Sequence, residues 1–445
     1  MPTTKTKSRT TRARRSKPAP QPAIDYKSLP GPDDITRRVL PNGIVVLVRE
    51  NHTSPSVVID GAVKAGALLV PRDKAGLANF TAGALMRGTE NRAFGEIYEA
   101  IESVGASLSI HGGNHGTGFG GKSLAEDLGL LLELLADALR RPTFPAEHVE
   151  KLRGEILTGL NIRAHDTGSM ASLTFAELTY PDHPYAVSTS GYIETVSALK
   201  RDDLVAFHRK HFGPRGMLII IVGAFKTEEA IALVEKYFGD WQNPDQPDLP
   251  DAPAAPGPAS IVEKRVTIPG KTQSDLILGV PGPRRADPDF LDARLGNGVL
   301  GVFGMMGRIG DAVREKGGMA YYAFSSVDGG HGPGPWRVVA GVNPKNVERA
   351  VELIRKEIRR FVTQKITPAE LADNQSQLIG RLPLQLETNE GVAGMIASLE
   401  EFNLGLDYLR RYPGLIRAIT RESVLAAARK YLDPDKFTLA IAGPE

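Results

Sequence analysis

The sequence predicts an α+β protein made of two similar domains that arose by internal duplication. Residues 199–223 and residues 419–443 align without a gap at an offset of 220 residues. Each segment has an amphipathic helix pattern, a proline-containing turn and an apolar strand pattern. Elsewhere, several helix patterns follow one another between the strand patterns, which favours α+β over a doubly wound fold. We therefore expect each domain to contain a mainly antiparallel sheet and several helices.

The aligned segments share residues at positions that define both the helix and the strand. Identical pairs include Arg201/Arg421, Ala206/Ala426, Arg209/Arg429, Lys210/Lys430, Pro214/Pro434 and Gly223/Gly443. The beginnings of the halves also correspond. In the first half, Pro41-Asn42-Gly43 predicts a turn between two strands, and strand patterns open the second half at 262–270 and 275–283.

Composition divides the chain into four segments. Residues 1–18 contain seven Lys or Arg and no acidic residue, which predicts a disordered basic tail over 1–33. The first domain is expected over 34–240 and the second over 261–445. Between them, residues 241–260 are rich in Pro, Asp and Ala, which is typical of an exposed linker.

The overall composition excludes several classes of protein. A chain of 445 residues without cysteine has no disulfides, no thiolate metal site and no cysteine nucleophile, and it fits a reducing compartment. No apolar run is long enough to span a membrane, and the basic tail lacks the apolar core of a secretory signal. With a net charge of +2, no specific nucleic-acid partner is indicated, and a cytoplasmic location is expected.

Residues 75–89 resemble the signature segment of the pitrilysin/insulinase family of zinc peptidases. The flanking Ala75-Gly76-Leu77 and Gly88-Thr89 match that family. Its inverted motif, His-x-x-Glu-His, holds zinc with two histidines and activates water with the glutamate. In this sequence the three motif positions are occupied by Asn79, Ala82 and Gly83.

The family's third zinc ligand is a glutamate on a later helix. Counting without gaps places it at Gly159, and only a gap would assign it to Glu155. Catalytic zinc needs about three protein ligands, and neither glycine nor alanine supplies one. We therefore expect this chain to bind no metal and to have no peptidase activity on its own.

The remaining histidines offer weak substitutes for the lost ligands. His111 and His115 would be about 13 Å apart along a strand but could approach each other in a loop. His208 and His211 have helical spacing, yet the repeat replaces them with Ala428 and Tyr431, which indicates ordinary packing. The glycines of 111–121 do not form a phosphate-binding loop, because no apolar strand precedes a Gly-Lys-Ser/Thr ending. Because the corresponding strand pairs with substrate in active relatives, and glycine weakens strands, its substrate role is in question.

A second segment, residues 311–327, resembles the family's Arg–Tyr segment and is intact. It places Arg314 and Tyr321 where the family has an arginine and a tyrosine that reach the zinc centre from the opposite half. A guanidinium and a phenol can both donate hydrogen bonds to substrate carbonyls and to the oxyanion of amide hydrolysis. Without the resemblance, the default interpretation is a strand aromatic and a solvated cation.

A lost zinc motif combined with an intact Arg–Tyr segment resembles the non-catalytic subunit of bacterial heterodimeric peptidases and of mitochondrial processing peptidase. The resemblance implies a clamshell arrangement of the two domains, a homologous zinc-bearing partner and a peptide substrate. It also implies that Arg314 and Tyr321 complete the partner's active site. Three alternatives stay open: a structural role like that of the core proteins of the cytochrome bc complex, peptide binding without cleavage, and an enzyme with a relocated metal.

Overall fold

In a computed structural model, which describes residues 26–445, the first sheet is built from strands of the first half. These strands are β1 (Thr36–Val39), β2 (Val45–Glu50), β3 (Ser56–Val63), β4 (Ser107–Gly112), β5 (Thr117–Leu124) and β6 (Leu218–Gly223). The six strands lie in the order β1-β2-β6-β3-β5-β4. The apolar run at 217–225 therefore forms β6, in the interior of the sheet.

The second sheet is built from strands of the second half. They are β7 (Val262–Thr267), β8 (Ser274–Pro281), β9 (Ala320–Val327), β10 (Pro335–Val342) and β11 (Thr438–Gly443), in the order β7-β11-β8-β10-β9. Only two of the pairings in residues 26–445, β2 with β6 and β7 with β11, are parallel. Both sheets are thus mainly antiparallel, as the sequence predicts.

Helices fill the chain between the strands. In the first half they are α1 (Leu77–Ala84), α2 (Phe94–Ser103), α3 (Leu128–Arg140), α4 (Ala146–Ala164), α5 (Thr167–Thr179), α6 (Ile193–Ala198), α7 (Arg201–His211) and α8 (Thr227–Phe238). In the second half they are α9 (Phe290–Gly301), α10 (Phe303–Gly310), α11 (Val347–Thr363), α12 (Pro368–Gln385), α13 (Asn389–Glu401), α14 (Tyr408–Ala418) and α15 (Arg421–Tyr431). Within residues 26–445, none of them has both the length and the apolar character needed to cross a membrane. The α+β fold class is confirmed.

The internal duplication appears as equivalent contacts in the two halves. α7 and β6 begin and end 220 residues before α15 and β11. Each of the two strands has one parallel and one antiparallel neighbour. The aligned arginines also bind equivalent backbone: Arg201 donates to the Phe144 carbonyl just before α4, and Arg421 donates to the Ile366 carbonyl just before α12.

Each sheet is covered on one face by helices of its own half and on the other face by a helix from the opposite half. On the first sheet, Val392 and Ile396 of α13 pack against an apolar patch that includes Val58 and Ile220. On the second sheet, α5 of the first half plays the same part, with core residues Ala171, Phe175, Ile277 and Ala440. Burial of these apolar surfaces joins the two halves.

The predicted tail and linker make specific contacts where the structure describes them. The basic stretch 1–18 lies outside the described residues. Residues 26–33 contact α14: Arg410 donates to the Leu29 carbonyl at 3.1 Å and pairs with Asp33 at 2.5 Å. Residues 241–260 contain no helix or strand, but Gln246 is 2% exposed and accepts a hydrogen bond from the Arg215 backbone. Parts of this connection are therefore packed against the fold.

Candidate functional site

The positions of the degenerate zinc motif lie on α1, a short helix that packs against the end of β4. Asn79, Ala82 and Gly83 have the i, i+3, i+4 spacing that brings side chains to one helical face. Asn79 lies so close to Gly112 of β4 that an added Cβ on Gly112 would be 2.7 Å from the Asn79 Cα. On the alignment that the family resemblance gives, α1 corresponds to the helix that presents the zinc ligands. Its only polar group at these positions is an amide, which is neither a good zinc ligand nor a base.

The position of the third ligand lies on α4 and also lacks a suitable group. Gly159 is exposed, and a Cβ added there would have no neighbour within 4 Å. Glu155, one turn earlier, is engaged by Arg87, whose Nη2 donates to its Oε2 at 2.6 Å. The residues present do not fit a catalytic zinc ion at this place.

His208 and His211 are held by a neutral partner or by packing. His208 approaches the Leu139 carbonyl at 2.9 Å, and burial lowers its pKa. His211 is 8% exposed, and burial, followed by the charge of Lys210, lowers its pKa to about 4. Both imidazoles are therefore uncharged packing groups of α7, as the repeat indicated.

His111 and His115 both line one cleft but differ in exposure and in their contacts. His111 is exposed at the end of β4, whereas His115 lies in the turn before β5, 2.6 Å from the Tyr185 hydroxyl. Burial, followed by the charge of His331, lowers the pKa of His115 to about 4. Across residues 26–445, no three or more His, Cys, Asp or Glu side chains are arranged to hold a metal ion.

The glycine-rich segment around these histidines forms regular strands. β4 pairs with β5 along the whole length of β4, and β4 is an edge strand of the first sheet. A Cβ on Gly118 would lie 2.6 Å from the His111 Nε2, so glycine makes room for the imidazole ring. The segment therefore forms a strand despite its glycines, and the weakening of this strand by glycine, with its consequence for substrate pairing, stays a prediction.

A cleft of about 590 Å³ lies between the first sheet, the end of α13 and the connection between the halves. Its polar lining includes Asp60, His111, His331 and Glu401. Burial raises the pKa of Asp60, and His331 is 3.0 Å from Glu401. These groups lie between the halves and are separate from the Arg–Tyr segment.

The Arg–Tyr segment leads from α10 through a π-helical turn, Asp311–Glu315, into the edge strand β9. The turn is anchored by the buried Val313, whose carbonyl accepts from the Met319 amide at 3.1 Å. The Arg314 guanidinium is 31% exposed and lies 3.6 Å from Glu315. Arg314 is therefore held loosely at the surface and free to bind another acceptor.

Tyr321 is the second residue of β9 and projects into solvent. Its exposed fraction is 82%, and within residues 26–445 its hydroxyl has no hydrogen-bond partner. The register of β9 against β10 shifts at this point: Tyr322 lies opposite Gly341, and Ala320 lies opposite Val342. Tyr321 is thus an extra residue in the edge strand, which is how bulges redirect side chains near functional sites.

The sequence analysis missed a polar cluster on the opposite face of the same strand. Tyr322 donates a hydrogen bond to Asp275 of β8, and Asp275 also accepts from Thr167 of α5. A single acidic residue in segment 274–281, whose other residues are uncharged, was the signal available in the sequence. Its partners could not be inferred, because they come from distant parts of the chain.

Comparisons with known proteins agree with this geometry. Residues 45–169 match the family described as insulinase (peptidase family M16), and residues 198–378 match the peptidase M16 inactive domain. The chain belongs to the M16 peptidase family. The family resemblance carried by residues 75–89 and 311–327 is therefore confirmed.

Relatives of this M16 protein align over almost its whole length. It is 28% identical to an uncharacterised zinc protease of Streptomyces coelicolor over 92% of this chain and 90% of that protein. It is 24% identical to the β subunit of the mitochondrial processing peptidase of Saccharomyces cerevisiae, over 79% of each chain. A crystal structure of a peptidase M16 inactive domain from Pseudomonas fluorescens is 25% identical, with a TM-score of 0.85, covering 93% of this chain and 98% of that one. The two-domain M16 fold is thus established.

Proposed function

We propose that this protein is the non-catalytic subunit of a heterodimeric zinc metallopeptidase. It binds peptide substrate together with a homologous, zinc-bearing M16 subunit, and it contributes Arg314 and Tyr321 to hydrolysis at the partner's zinc. The observation that carries the proposal is the contrast between two sites of one fold. The zinc helix has Asn79, Ala82 and Gly83 at its motif positions, whereas the Arg–Tyr segment presents an 82% exposed tyrosine with a free hydroxyl in the part of the chain that the structure describes.

The chemistry of the two side chains suits a role in amide hydrolysis. Attack of a zinc-activated water on a peptide carbonyl develops negative charge on the carbonyl oxygen. A phenol O–H and a guanidinium N–H can donate to that oxygen or to neighbouring substrate carbonyls. Arg314 has only a 3.6 Å contact with Glu315 to give up, and Tyr321 has no hydrogen bond to lose. Both groups would therefore reach a substrate at little cost in existing interactions.

Exposure of an apolar ring also needs an explanation in a folded protein. A tyrosine that is 82% exposed on an edge strand gains almost nothing from burial. A docked partner or substrate would cover the ring and satisfy its hydroxyl, and aromatic residues are enriched in such contacts. A stable heterodimer is expected to bury well over about 1,000 Å².

Co-expression with a zinc-bearing M16 homologue from the same source tests the proposal. We expect the two chains to co-elute in size-exclusion chromatography, and peptide hydrolysis to require both of them and zinc. The control is the same homologue carrying an alanine in place of its motif glutamate, which should form the complex without hydrolysing peptide. A monomeric chain that leaves the activity of every such homologue unchanged would refute the proposal.

A second candidate is a peptide-binding or structural protein of the same fold. It is favoured by β4, which forms a regular edge strand of the first sheet despite its glycine-rich surroundings. An extended peptide can add to such an edge through backbone hydrogen bonds without being cleaved. Peptide binding by the isolated chain, with no effect of any homologue, would favour this candidate.

A further inference from the structure

Asp275 is a buried carboxylate whose oxygens are bound from two parts of the chain. It is 3% exposed, on a strand whose other residues are uncharged. Tyr322 and the Gln273 amide, the latter at 3.1 Å, donate to its Oδ1, and Thr167 donates to its Oδ2. A buried carboxylate is costly unless it is hydrogen-bonded. The three hydrogen bonds therefore hold the Asp275 carboxylate and its donors in one arrangement.

The Tyr322 ring crosses the sheet to reach this carboxylate. Tyr322 is on β9 and Asp275 is on β8, and β10 runs between them with Gly341 beneath the ring. A Cβ on Gly341 would lie 2.6 Å from Tyr322 Cε1 and 2.7 Å from the Gln273 amide nitrogen. Glycine is therefore required at 341 for the ring to lie flat across β10.

The crossing occurs at the irregular point of the strand pairing. The register shift lies between Gly341 and Val342, directly beside the extra residue Tyr321. Burial, followed by the hydrogen bond to Asp275, raises the pKa of Tyr322, so its hydroxyl keeps the proton that it donates. Tyr322 is thereby held on the inner face of the sheet, at the point in β9 where the neighbouring Tyr321 points into solvent.

We propose that Tyr322 is a positioning residue, which through Asp275, Thr167 and the space above Gly341 fixes the bulged end of β9 and with it the direction of Tyr321. The inference rests on the proposed function for the role of Tyr321 in hydrolysis. Thr167 belongs to α5 of the first half, so the direction of Tyr321 in the second half is set partly by the other half. Without these contacts of Tyr322, the extra residue has no partner on β10 to hold it in place.

The test compares Tyr322→Phe with Tyr431→Phe. Tyr431 also donates to a carboxylate, Asp289, at 3.0 Å in the second half, but from α15. Each variant therefore removes a single Tyr–Asp hydrogen bond and no carbon atom. Gly341→Ala is a second variant that displaces the Tyr322 ring and leaves its hydroxyl intact.

Hydrogen exchange of the isolated chain reports on positioning without any partner. In Tyr322→Phe and Gly341→Ala we expect amides of residues 317–324 to exchange roughly tenfold faster, with β7 unchanged, because a local contact has been lost. In the heterodimer, Tyr322→Phe should lower kcat by about 10- to 100-fold with KM nearly constant, since small misplacement of a catalytic group has effects of this size. Tyr431→Phe should change neither the exchange of residues 317–324 nor kcat.

The outcomes separate the positioning role of Tyr322 from the proposed function. Equal local exchange in Tyr322→Phe and Tyr431→Phe would overturn the positioning role, as would a change confined to KM. Normal turnover of Tyr321→Phe would instead refute the proposed function. In that case the exchange data from the isolated chain would still decide whether Tyr322 holds the end of β9.

Discussion

Replacing Tyr321 by phenylalanine separates a catalytic role from a structural one. The change removes one hydroxyl, and that hydroxyl has no hydrogen-bond partner within residues 26–445. The ring is 82% exposed, so the free energy of unfolding should change by less than about 0.5 kcal/mol. The fold and the heterodimer should therefore form as in the unmodified protein.

The expected effect on catalysis is much larger than the effect on stability. Loss of one donor to a developing oxyanion typically costs about 100- to 1,000-fold in turnover, or about 3 kcal/mol of transition-state stabilisation. Steady-state hydrolysis of a fluorogenic peptide by the purified heterodimer measures this difference. Because the donor acts mainly in the transition state, kcat should fall while KM changes little.

The matched control is Tyr98→Phe on α2. Tyr98 is also an exposed tyrosine, at 38%, and it lies outside the Arg–Tyr segment. Tyr322→Phe is not a neutral control, because it removes a donor from the buried Asp275 and should destabilise the fold by about 1–3 kcal/mol. Equal turnover of Tyr321→Phe, Tyr98→Phe and unmodified heterodimer would refute the assignment and favour a scaffold role.

The remaining predictions concern Arg314, zinc and pH. Arg314→Ala should lower turnover of the heterodimer without preventing its assembly, whereas Arg349→Ala, which breaks a surface pair with Glu352 on α11, should leave turnover unchanged; similar activities in both would argue against a role for Arg314. The isolated, tag-free chain should retain less than one zinc per molecule after dialysis, because Asn79, Ala82 and Gly83 supply no ligand set; elemental analysis finding one tightly held, chelator-sensitive zinc would contradict this. Burial lowers the pKa of His115 to about 4 from its ordinary value of 6.5. As the pH falls, the unfolded chain therefore takes up the proton first. The contribution of neutral His115 to the free energy of unfolding should be fully present above about pH 6.5 and should decrease as the pH drops toward 4. His115→Gln should therefore lose less stability between about pH 7 and pH 5 in urea unfolding, and an identical pH dependence in both proteins would show that His115 is not responsible.

Local patterns predicted the parts of the fold that depend on neighbouring residues. The helix–turn–strand repeat at 199–223 and 419–443 corresponds to α7–β6 and α15–β11 at the same offset. Such features follow from helix and strand periodicity, which is a property of short segments.

Long-range packing decided features that no local pattern contains. Glycine content predicted a weakened strand at 111–121, and only the structure shows that Gly118 packs against His111 and Gly121 against the Ser107 backbone. The reciprocal covering of the sheets by α5 and α13 was equally invisible, because each helix buries its apolar face on strands of the opposite half.

The sequence by itself determined what this protein lacks and what it retains. On the alignment that the resemblance gives, Asn79, Ala82 and Gly83 supply no zinc-ligand set, and Arg314 and Tyr321 correspond to the arginine and tyrosine of the Arg–Tyr segment. Only the tertiary structure decided how Tyr321 is presented, because its exposure depends on a register shift at Gly341 and on Tyr322 bound to Asp275 across three strands. Residue identity fixes the available chemistry, whereas the direction of a side chain depends on partners that are distant in sequence and meet only in the folded protein.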